Sequence, residues 1–112
     1  SAENIFVVKN GKITTPPLDA DILNGITRDA AIKLLKSNKT KVIEKNLKIK
    51  DLLKADEIFM TGTAAEVKSV TRVNRTKIGN GKIGGFTKEL QNLFMDTVMG
   101  QNKQYRSWLR FI

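Results

Sequence analysis

Near its start the chain carries an Asn10-Gly11 pair between two β-prone runs, Ile5-Phe6-Val7-Val8 and Lys12-Ile13-Thr14-Thr15. Both turn residues tolerate positive φ, so the pair is the strongest short-range signal for a two-residue hairpin. Pro16-Pro17 then ends the second strand, because neither proline can donate to a ladder. A β-hairpin at the very beginning needs something to pack against, and the rest of the chain must supply it. With 112 residues there is room for one domain, and 40% hydrophobic residues can form a core.

Helix and strand signals alternate from there. A loop runs from Leu18 to Gly25, and a helix is predicted from Ile26 or Thr27 to Ser37 or Asn38, with Ala31, Leu34 and Leu35 inside and Arg28, Lys33 and Lys36 outside. Val42–Lys45 reads as a strand and Ile49–Ala55 as a short helix with Leu52 and Leu53 turned inward. Glu57–Thr61 is a strand stopped by Gly62, and Val67–Asn74 is another. Glycines at 79, 81, 84 and 85 mark a loop before a helix from Thr87 to Met99, striped with Leu90, Leu93, Phe94 and Val98 and stopped by Gly100. This order predicts an α/β lobe.

Composition narrows the chemistry. There is no histidine and no cysteine, which excludes an imidazole base, a thiol nucleophile, a disulfide frame and zinc held by either residue. Reaction chemistry must then come from carboxylates, lysines, hydroxyls, backbone amides or a borrowed group. The missing cysteines fit a reducing cytoplasm. No apolar run approaches the roughly 20 residues that span a bilayer. The net charge of +9 invites a nucleic-acid reading, but the densest basic stretch, Lys33 to Lys54, holds no stacking aromatic and includes Glu44 and Asp51. It reads as a solvated face. The chain also begins without methionine and reaches strand residues within Ser1-Ala2-Glu3-Asn4, which reads as a piece of a longer product.

Two stretches suit an anion. Gly25-Ile26-Thr27-Arg28-Asp29 at the expected helix start would offer unpaired amides and a threonine hydroxyl, although a plain threonine cap looks the same. Thr61-Gly62-Thr63-Ala64-Ala65-Glu66 follows a strand and could turn successive amides onto one ligand, although a tight packed turn looks the same. Glu3 and Asn4 could be polar site residues or a frayed end. Tyr105 and Trp108 read as packing anchors, and Met95 and Met99 as core or interface filler. Asp56 and Glu57 are adjacent, so their side chains point apart and a shared acid–base role is discounted.

Taken in order, Glu3-Asn4-Ile5-Phe6, Leu23-Asn24-Gly25-Ile26-Thr27-Arg28, Ala55-Asp56-Glu57-Ile58-Phe59, Thr61-Gly62-Thr63-Ala64-Ala65-Glu66-Val67, Ile78-Gly79, Gly81-Lys82 and Thr87-Lys88 with Leu90-Gln91 resemble the C-terminal part of a branched-chain amino-acid aminotransferase, a pyridoxal-phosphate enzyme of fold type IV. The resemblance covers the chain from Ala2 to about Gly100. It implies a barrel-like α+β lobe, the C-terminal domain of the D-amino-acid aminotransferase-like fold. It also implies transfer of the amino group of leucine, isoleucine or valine to 2-oxoglutarate, with pyridoxal 5'-phosphate as cofactor and a homodimer or larger homo-oligomer as parent.

Residue by residue, the resemblance gives Ile26, Thr27 and Thr63 to the cofactor phosphate, Thr63 and Ala64 to the substrate α-carboxylate, Leu23 to the pyridine ring, and Glu3 to the cofactor's surroundings. Asn24 stands where the family usually has proline, and Gly85-Phe86 where it often has Pro-Val. The lysine that would form the Schiff base falls upstream of Ser1, so no catalytic residue is assigned in this chain and the chain alone is expected to be inactive. D-amino-acid aminotransferase and aminodeoxychorismate lyase are the rivals within the fold type. A basic nucleic-acid-binding module or a purely structural domain are the rivals outside it.

Overall fold

The computed structural model describes residues 4–17, 22–37, 40–62 and 67–98; the side chains of residues 22–27, 37 and 96–98 lie outside this description. The expected hairpin is there: β1 (Asn4–Lys9) pairs antiparallel with β2 (Lys12–Thr15). Asn10 and Gly11 take φ of 52° and 75°, the left-handed pair that a two-residue turn requires. β2 stops before Pro16, as expected.

From β2 the chain enters α1 (Ile22–Ser37) and returns as β3 (Lys41–Glu44), parallel to β2. A parallel partner needs such a crossover, and the helix provides it. α2 (Ile49–Leu53) leads to β4 (Glu57–Thr61), which pairs antiparallel with the other side of β1, and β5 (Val67–Val70) pairs with β4. The result is a five-stranded mixed sheet in the order β3-β2-β1-β4-β5. The stretch expected as one strand from Val67 to Asn74 breaks at Thr71 into β5 and a small hairpin, β6 (Arg72–Val73) and β7 (Thr76–Lys77), turned by Asn74 at φ 55°. α3 (Gly85–Val98) closes the described chain; it starts two residues before Thr87 and takes Gly85 into its first turn.

The sheet has an apolar layer on each face, as period-two alternation demands. On one face Phe6, Val8, Ile13, Phe59 and Val67 meet Ala30, Ala31, Leu34 and Leu35 of α1 and Leu90 and Phe94 of α3. Phe6 and Phe59 are register partners, and their rings stack with centroids 4.8 Å apart. Such a pair contributes about 0.5–1.5 kcal/mol beyond the area it buries. On the other face Val7, Ala55, Ile58 and Ile78 form a smaller cluster, covered by Leu47, Leu52 and Val73 from the connections. Gly79 belongs to that cover: its φ is +58°, and a Cβ there would sit 2.5 Å from the Asp56 carbonyl oxygen. Only glycine fits.

Three expectations need correcting here. Leu53 is exposed while Leu52 packs, because adjacent helix residues are turned by about 100° and only the Leu52 side of the short α2 meets the smaller cluster. Met95 is 61% exposed, which removes the core half of the expectation of core or interface filler, since it lies beyond the stripe formed by residues 87, 90, 91 and 94. Arg28 is buried rather than outside, at 5% exposure. It stands at i, i+3, i+4 and i+7 with Ala31, Ile32 and Leu35, which is the packed face of α1. Lys33 and Lys36 are exposed as expected, and Lys33 pairs with Asp29 one turn back at 3.1 Å. Tyr105, Trp108, Met99 and Gly100 lie outside the described residues.

Candidate functional site

The strand register gathers one end of the sheet. Asn4 pairs with Thr61, Thr61 with Val67, and Thr15 with Glu44. The Thr15 hydroxyl donates to the Ile5 carbonyl at 2.7 Å, which joins β2 to the start of β1. The beginnings of β1 and β5 and the carboxyl ends of β2, β3 and β4 therefore lie side by side. Ligands in α/β folds favour the carboxyl ends of strands.

α1 reaches this end through Arg28. Its Nη2 donates to the Pro16 carbonyl at 3.1 Å and to Glu44 Oε1 at 2.8 Å, so the helix is tied to the ends of β2 and β3. The Arg28 side chain is 6% exposed against 58% for Glu44, and one carboxylate offsets a largely desolvated guanidinium. Arg28 Nε is buried and has no hydrogen-bond partner among the described residues. Thr61, fully buried at the end of β4, also leaves its hydroxyl without one there. Buried polar atoms are usually paired, so two orphans at one end of a sheet are unusual. Each is a donor of the kind that a phosphate-bearing anion such as pyridoxal 5'-phosphate accepts from.

The structure places the expected site residues unevenly. Leu23, Ile26 and Thr27 belong to α1, whose N-terminal half is at this end of the sheet, but their side chains lie outside the described part. Glu3 immediately precedes β1, and Thr63 and Ala64 fall between β4 and β5; all three are outside the described residues. The expected helix start is corrected. α1 begins at Ile22, so Ile26 and Thr27 stand beyond the first turn, where amides are taken up by carbonyls four residues back. An interior Gly25 costs roughly 1 kcal/mol relative to alanine, which a packed helix can carry.

The adjacent carboxylates Asp56 and Glu57 point apart, as expected from the sequence, which did not show what each one holds. Glu57 reaches across to the start of α3, accepting from Phe86 N (3.1 Å), Thr87 N (2.9 Å) and Thr87 Oγ1 (2.9 Å). It is a helix cap supplied from a distant strand, aided by the positive end of the helix dipole. Asp56 turns the other way, accepting from Asn10 N at 2.9 Å and pairing with Lys9 at 3.4 Å. The Asn10 amide, with help from Lys9 and against a small cost of burial, holds its carboxyl below the ordinary aspartate range. The two acids serve separate turns. Gln91 of α3 was also passed over as a functional residue, and its amide nitrogen donates to the Val67 carbonyl at 2.9 Å.

Comparison with known proteins agrees with this geometry. The family described as amino-transferase class IV matches residues 1–73, and the chain belongs to that family. A protein of Aquifex aeolicus named "probable branched-chain-amino-acid aminotransferase" is 48% identical over 97% of this chain and 35% of its own length. The branched-chain-amino-acid aminotransferase of Escherichia coli is 42% identical over 97% of this chain and 35% of its own. Among solved structures, the branched-chain aminotransferase of the thermophilic archaeon Thermoproteus uzoniensis, solved with norvaline, superposes with a TM-score of 0.83 at 33% identity, covering 95% of this chain and 35% of that one. A T.th. branched-chain amino acid aminotransferase in complex with N-(5'-phosphopyridoxyl)-L-glutamate gives the same TM-score of 0.83 and covers 36% of that chain. The mixed α/β lobe is thus that of the fold type IV aminotransferases. The chain spans about a third of the length of the curated relatives it matches.

Proposed function

We propose that this chain is the C-terminal, cofactor-phosphate-binding domain of a branched-chain amino-acid transaminase, over residues 1–112. The parent reaction moves the amino group of leucine, isoleucine or valine to 2-oxoglutarate. The observation that carries this reading is the gathering at one sheet end of the start of β1, Thr61 and Val67 at the facing ends of β4 and β5, and the N-terminal half of α1 held there by Arg28.

In this reading the hydroxyls of Thr27 and Thr63 donate to the phosphate, and Ile26, whose amide is taken up within α1, lines it without donating. Thr63 and Ala64 hold the substrate α-carboxylate, Leu23 packs on the pyridine ring, and Glu3 lies beside it. Bound there, pyridoxal 5'-phosphate supplies the electron sink for amino transfer; the protein binds and orients. Arg28, already paired with Glu44, ties α1 to this end, and the apolar layer of Phe6, Phe59 and Leu35 keeps water out beneath it. The Schiff-base lysine is supplied by a segment upstream of Ser1, absent from this chain. The parent is a homodimer or larger assembly in the cytoplasm. The T.th. relative has also been solved with 4-methylvaleric acid, a branched carboxylic acid of the size this site would take.

The test compares the intact enzyme with this chain alone. The intact enzyme should transaminate leucine, isoleucine and valine with 2-oxoglutarate and ignore D-alanine and aminodeoxychorismate. The chain alone, mixed with pyridoxal phosphate and leucine, should show neither turnover nor the visible absorbance of a lysine-linked cofactor. Turnover by the chain alone would sink the assignment of the lysine, and a preference for D-amino acids would move the enzyme to its rival. Tight, salt-sensitive binding of a random DNA duplex with no transaminase activity would favour the nucleic-acid module instead.

A further inference from the structure

The sheet face turned away from α1 and α3 gathers lysines. Strand alternation puts Val7 and Lys9 of β1, Lys12 and Thr14 of β2 and Lys41 of β3 on that face. The register sets Lys9 opposite Lys12 and Lys12 opposite Lys41, so three lysines stand in a row across neighbouring strands. Like charges directly opposite each other weaken a sheet. Lys9 is paired with Asp56 at 3.4 Å, while Lys12 and Lys41 have no ion-pair partner among the described residues.

A cleft of about 180 Å³ opens beside this row, between the hairpin and the connection that carries α2. Its floor is apolar: Val7 is buried, and Leu47 packs against the cluster that Val7 belongs to. Its rim is charged, with Lys9, Lys45 and Lys54 against one carboxylate, Asp51. That carboxylate is already engaged, accepting from the Lys48 amide at 2.8 Å. Asp56, which shares Lys9, stands outside the lining and accepts from the Asn10 amide. Lys45 and Lys54 are exposed and have no ion-pair partner among the described residues. The rim thus holds two positive charges in excess, and Thr14 adds a hydroxyl beside them. The space equals about six water volumes at ~30 Å³ each, below the ~300 Å³ at which pockets for drug-sized molecules begin. A nucleotide is too large for it. Two excess charges suit a dianion, and an apolar floor between them suits methylene groups better than the hydrated oxygens of an inorganic anion.

We infer that this cleft is a binding site for a short aliphatic dicarboxylate, its methylene groups on Val7 and Leu47 and its two carboxylates on the ammonium groups of Lys9, Lys45 and Lys54. Lys12 and Lys41 do not touch the ligand; their field draws it in. The cleft lies on the opposite face of the sheet from α1 and Arg28, and it does not depend on the reaction proposed above.

The experiment titrates glutarate into the intact enzyme by calorimetry; glutarate has neither an amino nor an oxo group to react. Binding in the cleft is read as the difference between the wild type and a Lys45→Gln, Lys54→Gln double variant, whose changed side chains are both exposed. The double variant should bind glutarate about 3- to 30-fold more weakly, the worth of two exposed ion pairs, with its transaminase turnover unchanged. Lys45→Gln alone should give a smaller loss in the same direction, and added salt should shrink the difference. Two further probes separate charge from floor. Pentanoate keeps the carbon chain and has one carboxylate, and sulfate keeps two charges and has no methylene group. Both should bind the cleft more weakly than glutarate. Equal affinity of the wild type and the double variant for glutarate would overturn the site, because any glutarate bound would then sit elsewhere. Sulfate binding as tightly as glutarate, with the same loss in the double variant, would overturn the dicarboxylate as its ligand.

Discussion

Gly84 has no side chain because Glu57 occupies the space: a Cβ there would run into the Glu57 Cγ and Cδ atoms. The clash is with a flexible side chain, but one held by three hydrogen bonds at the start of α3. Gly84→Ala should therefore displace the carboxylate and cost about what a lost helix cap costs, ~0.5–2 kcal/mol. In a Glu57→Ala background the same substitution should cost almost nothing, because the obstacle and the cap are both gone. Denaturant melts of the two single variants and the double variant check this; equal cost in both backgrounds would refute it. Asp56 makes a prediction of opposite character, since its effect is set by pH. Its carboxyl is depressed in the folded chain, so its contribution is present above the ordinary aspartate value of 3.8 and fades as pH falls through the lower folded value. Asp56→Asn should lower Tm slightly at pH 7, and the gap to the wild type should close in strong acid. The carboxylate is about half exposed, so the effect is small.

Elements defined by neighbouring residues were legible in the sequence. The first hairpin, with its two-residue turn and its proline stop, is set entirely within residues 4–17. Glu57–Thr61 was legible too, as a short apolar run ended by Gly62. The features that were not legible depend on partners far along the chain. The burial of Arg28 answers to Pro16 and Glu44, and the α3 cap comes from a residue 30 positions away from Thr87. The helical spacing of Arg28 with Ala31, Ile32 and Leu35 did carry the signal, but a positive charge normally argues for the outside. Such ties have mechanical consequences for β3. It is an edge strand, yet peeling it away would strip Arg28 of its carboxylate while the guanidinium stays buried. Glu44→Ala should thus destabilise α1 as well as β3, by about 1–3 kcal/mol, because the pair is open to water on the Glu44 side and Arg28 keeps the Pro16 carbonyl. Amide exchange should show the two elements losing protection together; loss confined to Lys41–Glu44 would count against the coupling.

At the scale of the molecule, the candidate site was legible as a set of residues and not as a place. Leu23, Ile26, Thr27, Thr63 and Ala64 could be named from their motifs, but only the strand register and the bonds of Arg28 bring the start of β1, the ends of β2, β3 and β4 and the helix α1 to one end of the sheet. That end is assembled from Asn4, Thr15, Glu44, Thr61 and Val67, residues drawn from most of the described chain. Local structure joins Thr61 to Val67, but bringing Asn4 to Thr61 and Thr15 to Glu44 takes the whole sheet. An anion held at this end, as proposed, would therefore bind only the finished fold. Such a ligand would raise the stability of the whole domain by RT ln(1 + [L]/Kd), and substitutions far out on the sheet would weaken it through the folded fraction alone. The end of the sheet where the strands converge thus makes ligand affinity a gauge of how completely this chain has folded.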